Sequence, residues 1–267
     1  MVNFDLSFFN EKKKKRLKKE KSNLFKDAFG NFHIIKRFLI FTLGCISYNS
    51  YNKGKLQLKG TEYIKNLPDK KVLFVSNHQT YFADVFAMFH VFCSVKNGFI
   101  NTIENPIYLL NPKVNIYYVA AKETMNQGIL TKLFTYSGGI TIKRTWKEGD
   151  QIINRSVNRS DITRMGVALN DGWLITFPQG TTQAFSPGRR GIVHVIRKYH
   201  PIVVPIVIDG FKKAYGKKGI KVVKKEILQK MIFKKPIKID LKKDSTKSIM
   251  EKIMDAIEQS PKYYNNK

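Results

Sequence analysis

The chain has 267 residues, 43% hydrophobic and 12% aromatic, which suffices for one sizeable α/β domain or two small ones and excludes global disorder. Its 48 Lys and Arg against 20 Asp and Glu leave a formal charge of +28, too basic for an ordinary neutral cytosolic enzyme; the excess calls for nucleic acid, an anionic bilayer or acidic protein partners. Cys45 and Cys93 are the only two cysteines, which excludes a disulfide framework or a cysteine-rich zinc site and fits a reducing compartment.

At the amino terminus a basic run, Lys12 to Lys21, leads into Ser22-Asn23-Leu24-Phe25 with no apolar core or small-residue cleavage site, so it does not read as a secretory signal. No stretch reaches the roughly 18 apolar residues of a spanning helix. The nearest is Phe38 to Ile46, preceded by Lys36 and Arg37. It is too short to cross a bilayer unaided, yet long enough to lie in its surface or to form a buried core helix. Between Glu11 and Lys21 stand eight Lys or Arg and two Glu. Cations beside an apolar helix favour an anionic leaflet by about 1 kcal/mol per charge near the surface, which tips the reading towards the membrane. Residues 1–52 are therefore expected to form a basic arm with membrane-associating helices, and residues 53–267 the main domain.

From Lys71 onward short β-rich runs alternate with amphipathic stretches. The expected strands are Val72–Ser76, Ile116–Ala120, Gly139–Lys143, Trp173–Phe177, Ile202–Ile208 and Met231–Ile239, and the expected helices lie near Phe82–Cys93, Leu130–Tyr136, Asp161–Asn170, Ile192–Tyr199 and Ser245–Glu258. Such alternation predicts a three-layer α/β domain with a largely parallel central sheet. Between Lys212 and Lys252 there are fifteen Lys and four acidic residues, a solvated face whose sign again suits a negative partner.

Two strand ends carry chemistry. Val72-Leu73-Phe74-Val75 runs into Ser76-Asn77-His78, and the carboxyl ends of strands are where open α/β sheets place their ligands. His78 can take a proton from a hydroxyl near neutral pH, best with a carboxylate on its other ring nitrogen; Asp84 is the carboxylate within reach. Six positions on a regular helix put the two about 120° apart, so they meet only if His78 is in the loop and Asp84 in the first helical turn, with Thr80 or Asn77 capping it. The same residues also suit a plain structural role, Asp84 on the helix dipole and His78 in a satisfied loop.

The second strand, Trp173 to Phe177, breaks at Pro178 and turns through Gly180 into a polar loop ending in Gly188-Arg189-Arg190-Gly191. Glycines that admit backbone amides, two arginine forks and a helix start make either a phosphate pocket or an ordinary turn with solvated arginines. A third piece, Gly138-Gly139-Ile140-Thr141-Ile142-Lys143-Arg144, brings two cations to a strand end. Only one of them can face a pocket, and Arg144 suits a phosphate better.

Together these pieces resemble the lysophosphatidic acid acyltransferase family. Asn77-His78 and Asp84 look like its Asn-His-x4-Asp block, Gly139 to Arg144 its Gly-x-Ile-x-Ile-x-Arg strand, Phe177-Pro178-Gln179-Gly180-Thr181-Thr182 its Phe-Pro-Glu-Gly-Thr-Arg block, and Val204-Pro205-Ile206-Val207 its Val-Pro-Ile strand. The likeness covers about residues 60–210. The chain departs from the pattern in having five residues between His78 and Asp84, Gln179 for the family Glu and Thr182 for its Arg.

The resemblance implies transfer of a fatty acyl group from an acyl-carrier-protein or coenzyme A thioester to a lysolipid hydroxyl, first of all 1-acyl-glycerol-3-phosphate, giving phosphatidic acid in phospholipid synthesis. A lyso-aminolipid acceptor, or an inactive membrane- or nucleic-acid-binding relative, stands as the alternative. In that picture His78 is the general base and Asp84 its partner. Backbone amides around Gly180 and Thr181 receive the oxyanion, while Arg144, Gln179, Arg189 and Arg190 contact the acceptor. The aromatic series Phe82, Phe86, Phe89, Phe92 offers an acyl channel, although core packing would give the same stripe. No bound cofactor, metal or nucleic acid is expected; the expected partners are an anionic membrane, the lysolipid and the acidic carrier protein or acyl-CoA. The expected place is the cytoplasmic face of the membrane, as a peripheral or monotopic protein.

Overall fold

A computed structural model describes residues 25–52, 55–121, 129–142, 147–148, 151–152, 159–216, 219 and 221–266. The basic run Lys12 to Lys21 and the pair Lys143-Arg144 lie outside these residues. The strands are β1 (Leu56–Lys59), β2 (Val72–Ser76), β3 (Ile116–Ala121), β4 (Gly139–Ile142), a short hairpin β5–β6 (Lys147–Glu148 and Gln151–Ile152), β7 (Trp173–Thr176), β8 (Ile202–Asp209) and β9 (Gln229–Phe233). The helices are α1 (His33–Tyr48), α2 (Glu62–Lys65), α3 (Ala83–Lys96), α4 (Ile129–Tyr136), α5 (Arg159–Asp171), α6 (Gly191–Tyr199), α7 (Phe211–Tyr215) and α8 (Thr246–Ala256), with a 3₁₀ turn at Pro106–Leu110.

Among the described residues the main sheet has seven strands in the order β1-β9-β8-β2-β7-β3-β4. Every pairing in it is parallel except β8 with β9. The strand expected over Met231–Ile239 is shorter than that. It ends at Phe233 because Pro236 has no N–H for a ladder, although the Lys234 and Ile237 amides still reach the Pro205 and Val203 carbonyls of β8.

β2 sits at the centre, and all five of its residues are buried. Successive side chains on a strand point to opposite faces, so Val72 and Phe74 enter one core and Leu73 and Val75 the other. The first core is closed by α1, α3, the 3₁₀ turn and α7, through Ile40, Phe92, Leu109 and Phe211 among others. The second is closed by α5, α6 and α8, through Leu169, Val195 and Ile253. Helices on both faces of a mostly parallel sheet make the α/β three-layer arrangement. No described helix is long and apolar enough to cross a membrane.

This topology places the functional region. β2 and β7 are neighbouring parallel strands, with Val75 opposite Thr176. The helix after β2 goes to the first face and the helix after β7 to the second. A crevice opens above the carboxyl ends of two such strands.

Candidate active site

His78 stands in the loop two residues past β2, and Asp84 is fully buried in the first turn of α3. His78 Nδ1 lies 2.9 Å from Asp84 Oδ2. The same carboxylate accepts the N–H groups of Gln79 at 2.7 Å and Thr80 at 3.0 Å and the Thr80 hydroxyl at 2.8 Å. With that many donors around it the carboxylate is in its accepting role, so Nδ1 carries the hydrogen and donates to it. Thr80 Oγ1 in turn accepts the Asp84 N–H at 3.2 Å, which makes Thr80 the residue that caps this turn.

Asn77 does something else. Its Nδ2 donates to the Ile208 carbonyl and its Oδ1 accepts the Ile208 N–H, both at 2.8 Å, so the side chain imitates one more ladder step beyond β2. The imidazole stacks on Phe177, ring centroids 3.8 Å apart and planes 22° from parallel, which joins the ends of β2 and β7.

In the loop after β7, the Gly180 N–H donates to the Phe177 carbonyl at 2.9 Å. The expectation that Gly180 offers its amide to an oxyanion is therefore corrected: that donor closes the turn. Gly180 has φ +63°, and a Cβ there would sit 2.8 Å from Arg189 Nε, so both the backbone and the arginine lying across it require glycine. Arg189 donates from Nε to the Gln179 carbonyl at 3.2 Å and from its own amide to the Pro178 carbonyl at 2.9 Å. Arg190 is exposed at the start of α6. Gln179 is buried, and its Nε2 donates to the Ser186 carbonyl at 2.9 Å and to Gln259 Oε1 at 3.2 Å. Thr182 is buried too.

These loops border a cavity of about 1080 Å³. His78, Gln179, Gly180, Thr181, Arg189 and Arg190 all line it, at the end next to the strand termini. From there it continues between α1 and α3 along an apolar wall that includes Val85, Phe86, Phe89 and Leu43. Of the aromatic series, Phe82, Phe86 and Phe89 line the cavity, whereas Phe92 packs in the core against Phe74 at 4.5 Å and Trp173 at 5.2 Å. Gly44 of α1 lets Leu109 approach the same wall, since a Cβ there would meet Leu109 Cδ2 at 2.5 Å.

A second histidine lines this cavity. His90 is buried, its Nε2 2.9 Å from Ser47 Oγ and its Nδ1 2.9 Å from Tyr108 Oη. Burial pushes its pKa down to about 3, so it stays neutral. Cys93 is fully buried and its thiol is pushed up to about 11 by that burial, which removes it as a nucleophile near neutral pH. Sequence reading passed over His90, Phe177 as a stacking partner, and Gln259. The apolar stretch Val85 to Val91 around His90 was a local signal of burial; Gln259 carried none, because its partners lie 80 and 74 residues away.

The chain superimposes on the solved structure of PlsC, a 1-acyl-sn-glycerophosphate (LPA) acyltransferase from Thermotoga maritima, with a TM-score of 0.46 and 15% sequence identity, over 82% of this chain and 75% of that one. No curated protein matches it in sequence. The family model described as Acyltransferase matches residues 55–209, the stretch that holds the histidine, the aspartate and the β7 loop, and the chain belongs to the acyltransferase family.

Proposed function

We propose that the protein moves a fatty acyl group from a thioester to the hydroxyl of a lysolipid, with 1-acyl-glycerol-3-phosphate as the first candidate acceptor and phosphatidic acid as its product. The observation that carries this reading is the His78–Asp84 pair, at 2.9 Å, set at the polar end of a cavity whose remaining wall is largely apolar. In the proposed reaction Nε2 of His78 takes the acceptor's hydroxyl proton as the oxygen attacks the thioester carbonyl. Asp84 holds Nδ1–H and offsets the charge that forms on the ring. The tetrahedral oxyanion is received by the Thr181 N–H. Collapse breaks the carbon–sulfur bond, and the leaving thiolate recovers the proton from Nε2. Arg189 and Arg190 hold the acceptor's phosphate, and the wall of Val85, Phe86 and Phe89 takes an alkyl chain.

The acyl donor is proposed to be acyl carrier protein or coenzyme A thioester, and the +28 charge favours the acidic carrier. The site of action is proposed to be an anionic membrane surface on the cytoplasmic side. What supports it is α1: its inner face lines the cavity through Ile40, Leu43 and Gly44, while Ile34, Phe38 and Ile46 are exposed at 71%, 65% and 75%. Arg37 is exposed on the same helix, and Lys26 Nζ lies 4.4 Å from the ring of the exposed Phe32 just ahead of it, which adds positive charge there.

A second acceptor class, a lyso-aminolipid, is favoured by one observation. Position 182 holds a buried threonine outside the cavity lining, so one phosphate-binding arginine of the resembled motif is missing. The test is direct: the purified protein is given labelled acyl-carrier protein or acyl-CoA with anionic vesicles carrying either lysophosphatidate or a lyso-aminolipid. Labelled diacyl product from lysophosphatidate supports the first reading and product only from the aminolipid the second. No labelled product from either overturns both.

A further inference from the structure

The loop that carries Thr181 and Arg189 is held from outside by the carboxyl-terminal part of the chain, beyond the family-matched residues 55–209. Gln259 follows α8 and is buried. Its Oε1 accepts from two donors at once, Gln179 Nε2 at 3.2 Å and the Phe185 N–H at 2.9 Å, while its own Nε2 donates to the Glu258 carbonyl at 2.9 Å. Two donors on one oxygen decide which way this amide is turned. Phe185 has φ +59°, a left-handed backbone that a bulky side chain adopts only where its surroundings enforce it. The Gln259 oxygen and the ring of Tyr264, edge-on at 4.7 Å, are those surroundings. Gly188 is pressed against α8 as well: a Cβ there would lie 2.3 Å from Met250 Sδ.

On its inner side the same loop positions the groups that meet substrate. The Gln179 carbonyl accepts Arg189 Nε, and the Pro178 carbonyl accepts the Arg189 N–H. We infer that Gln259 is a positioning residue: paired with Gln179, it locks residues 178–190 in the form that presents the Thr181 amide and Arg189 to the acceptor. The kinetic half of this inference rests on the acyl-transfer reading above; the lock itself rests on geometry alone.

The chemistry of the pair gives an asymmetric test. Gln259→Glu still accepts from both donors and, protonated on its other oxygen, still donates to the Glu258 carbonyl, whereas Gln259→Met keeps the volume and does neither. Gln179→Glu turns a double donor into a carboxylate facing two acceptors, the Ser186 carbonyl and Gln259 Oε1. Buried there, it binds a proton more readily than usual, and the protonated form regains one donor. With lysophosphatidate as acceptor, Gln259→Met is expected to raise its KM about tenfold while the thioester KM stays within about twofold, and Gln259→Glu to restore most of the loss. Gln179→Glu is expected to lose activity reversibly as pH rises, with a dependence absent from the unaltered protein.

Hydrogen exchange reads the lock without any assay of turnover. The Phe185 and Arg189 amides should lose protection in Gln259→Met and keep it in Gln259→Glu, and in Gln179→Glu they should be protected at low pH and exposed at high pH. If Gln259→Met does not fold, the reversible pH response of Gln179→Glu decides in its place. Unchanged protection at Phe185 overturns the lock, and lost protection with an unchanged acceptor KM overturns the positioning role. If the unaltered protein transfers no acyl group to either acceptor, the proposed function falls while the exchange data still decide the lock.

Discussion

Two histidines line one cavity, and they are held by opposite kinds of partner. His78 is held by a carboxylate at Nδ1, lies against an aromatic ring and lines the cavity at its polar end. His90 lies six positions beyond Asp84, about 9 Å along α3, with both ring nitrogens taken by hydroxyl groups and its charged form removed by burial. An imidazole in a pocket becomes a base when a fixed negative charge stands behind it and one nitrogen is open. Without those it is a neutral strut, here joining α1 to α3 and the 3₁₀ turn. The proposed base and the strut are the same residue type and differ in the partners of the ring.

The largest effect expected from breaking this contrast is at His78. Replacing it by Ala should lower kcat/KM for acyl transfer about 10³-fold, the scale of a lost general base, with the thermal midpoint nearly unchanged. Next is Asp84→Asn, which keeps one oxygen for the imidazole and the two backbone N–H groups that Oδ2 serves but turns an NH₂ towards the Thr80 hydroxyl and removes the negative charge behind the ring. A loss of about 10²-fold in turnover and about 2 kcal/mol in denaturant stability is expected, and equal turnover to the unaltered enzyme would remove Asp84 from the mechanism.

At His90 the readout is stability against pH. Its folded pKa, about 3, lies below the unfolded value near 6.5, so the unfolded chain binds more protons between those limits. The stability contributed by keeping this ring neutral is complete above pH 6.5. It drains away as pH falls, by about 1.4 kcal/mol per unit. Between pH 7 and pH 5 the unaltered protein should therefore lose about 2 kcal/mol more than His90→Phe does, measured by urea unfolding; parallel profiles would mean that His90 takes up a proton as readily in the fold as in the unfolded chain. The smallest effect belongs to Cys93. Cys93→Ala should cost about 1 kcal/mol of packing and leave turnover within about twofold, whereas a large kinetic loss would bring back a thiol intermediate.

What could be read in advance follows from how local each signal is. β2 and β7 are continuous apolar runs that stop at Asn77-His78 and Phe177-Pro178, so their extents and the placing of His78 at a strand end were legible from neighbours alone. The meeting of His78 with Asp84 was legible too, because only a loop followed by a first helical turn brings together residues six apart. β1 was not legible: Leu56-Gln57-Leu58-Lys59 alternates over four residues, too few to distinguish a strand from chance, and its pairing with β9 is a tertiary fact. Nor was the use made of Gln179, since its partner Gln259 sits 80 positions away and nothing near either residue marks them as a pair. α1 was ambiguous for a physical reason. It is apolar on two sides, so periodicity alone cannot assign Ile40 and Gly44 to the interior and Ile34 and Phe38 to the exterior.

The amide of Asn77 has one more consequence. By grasping both polar groups of Ile208, it tethers the chain just ahead of the imidazole to a neighbouring strand at the middle of the sheet. The loop that bears His78 is thus anchored at its root, and a guest in the cavity meets a backbone already held in place there.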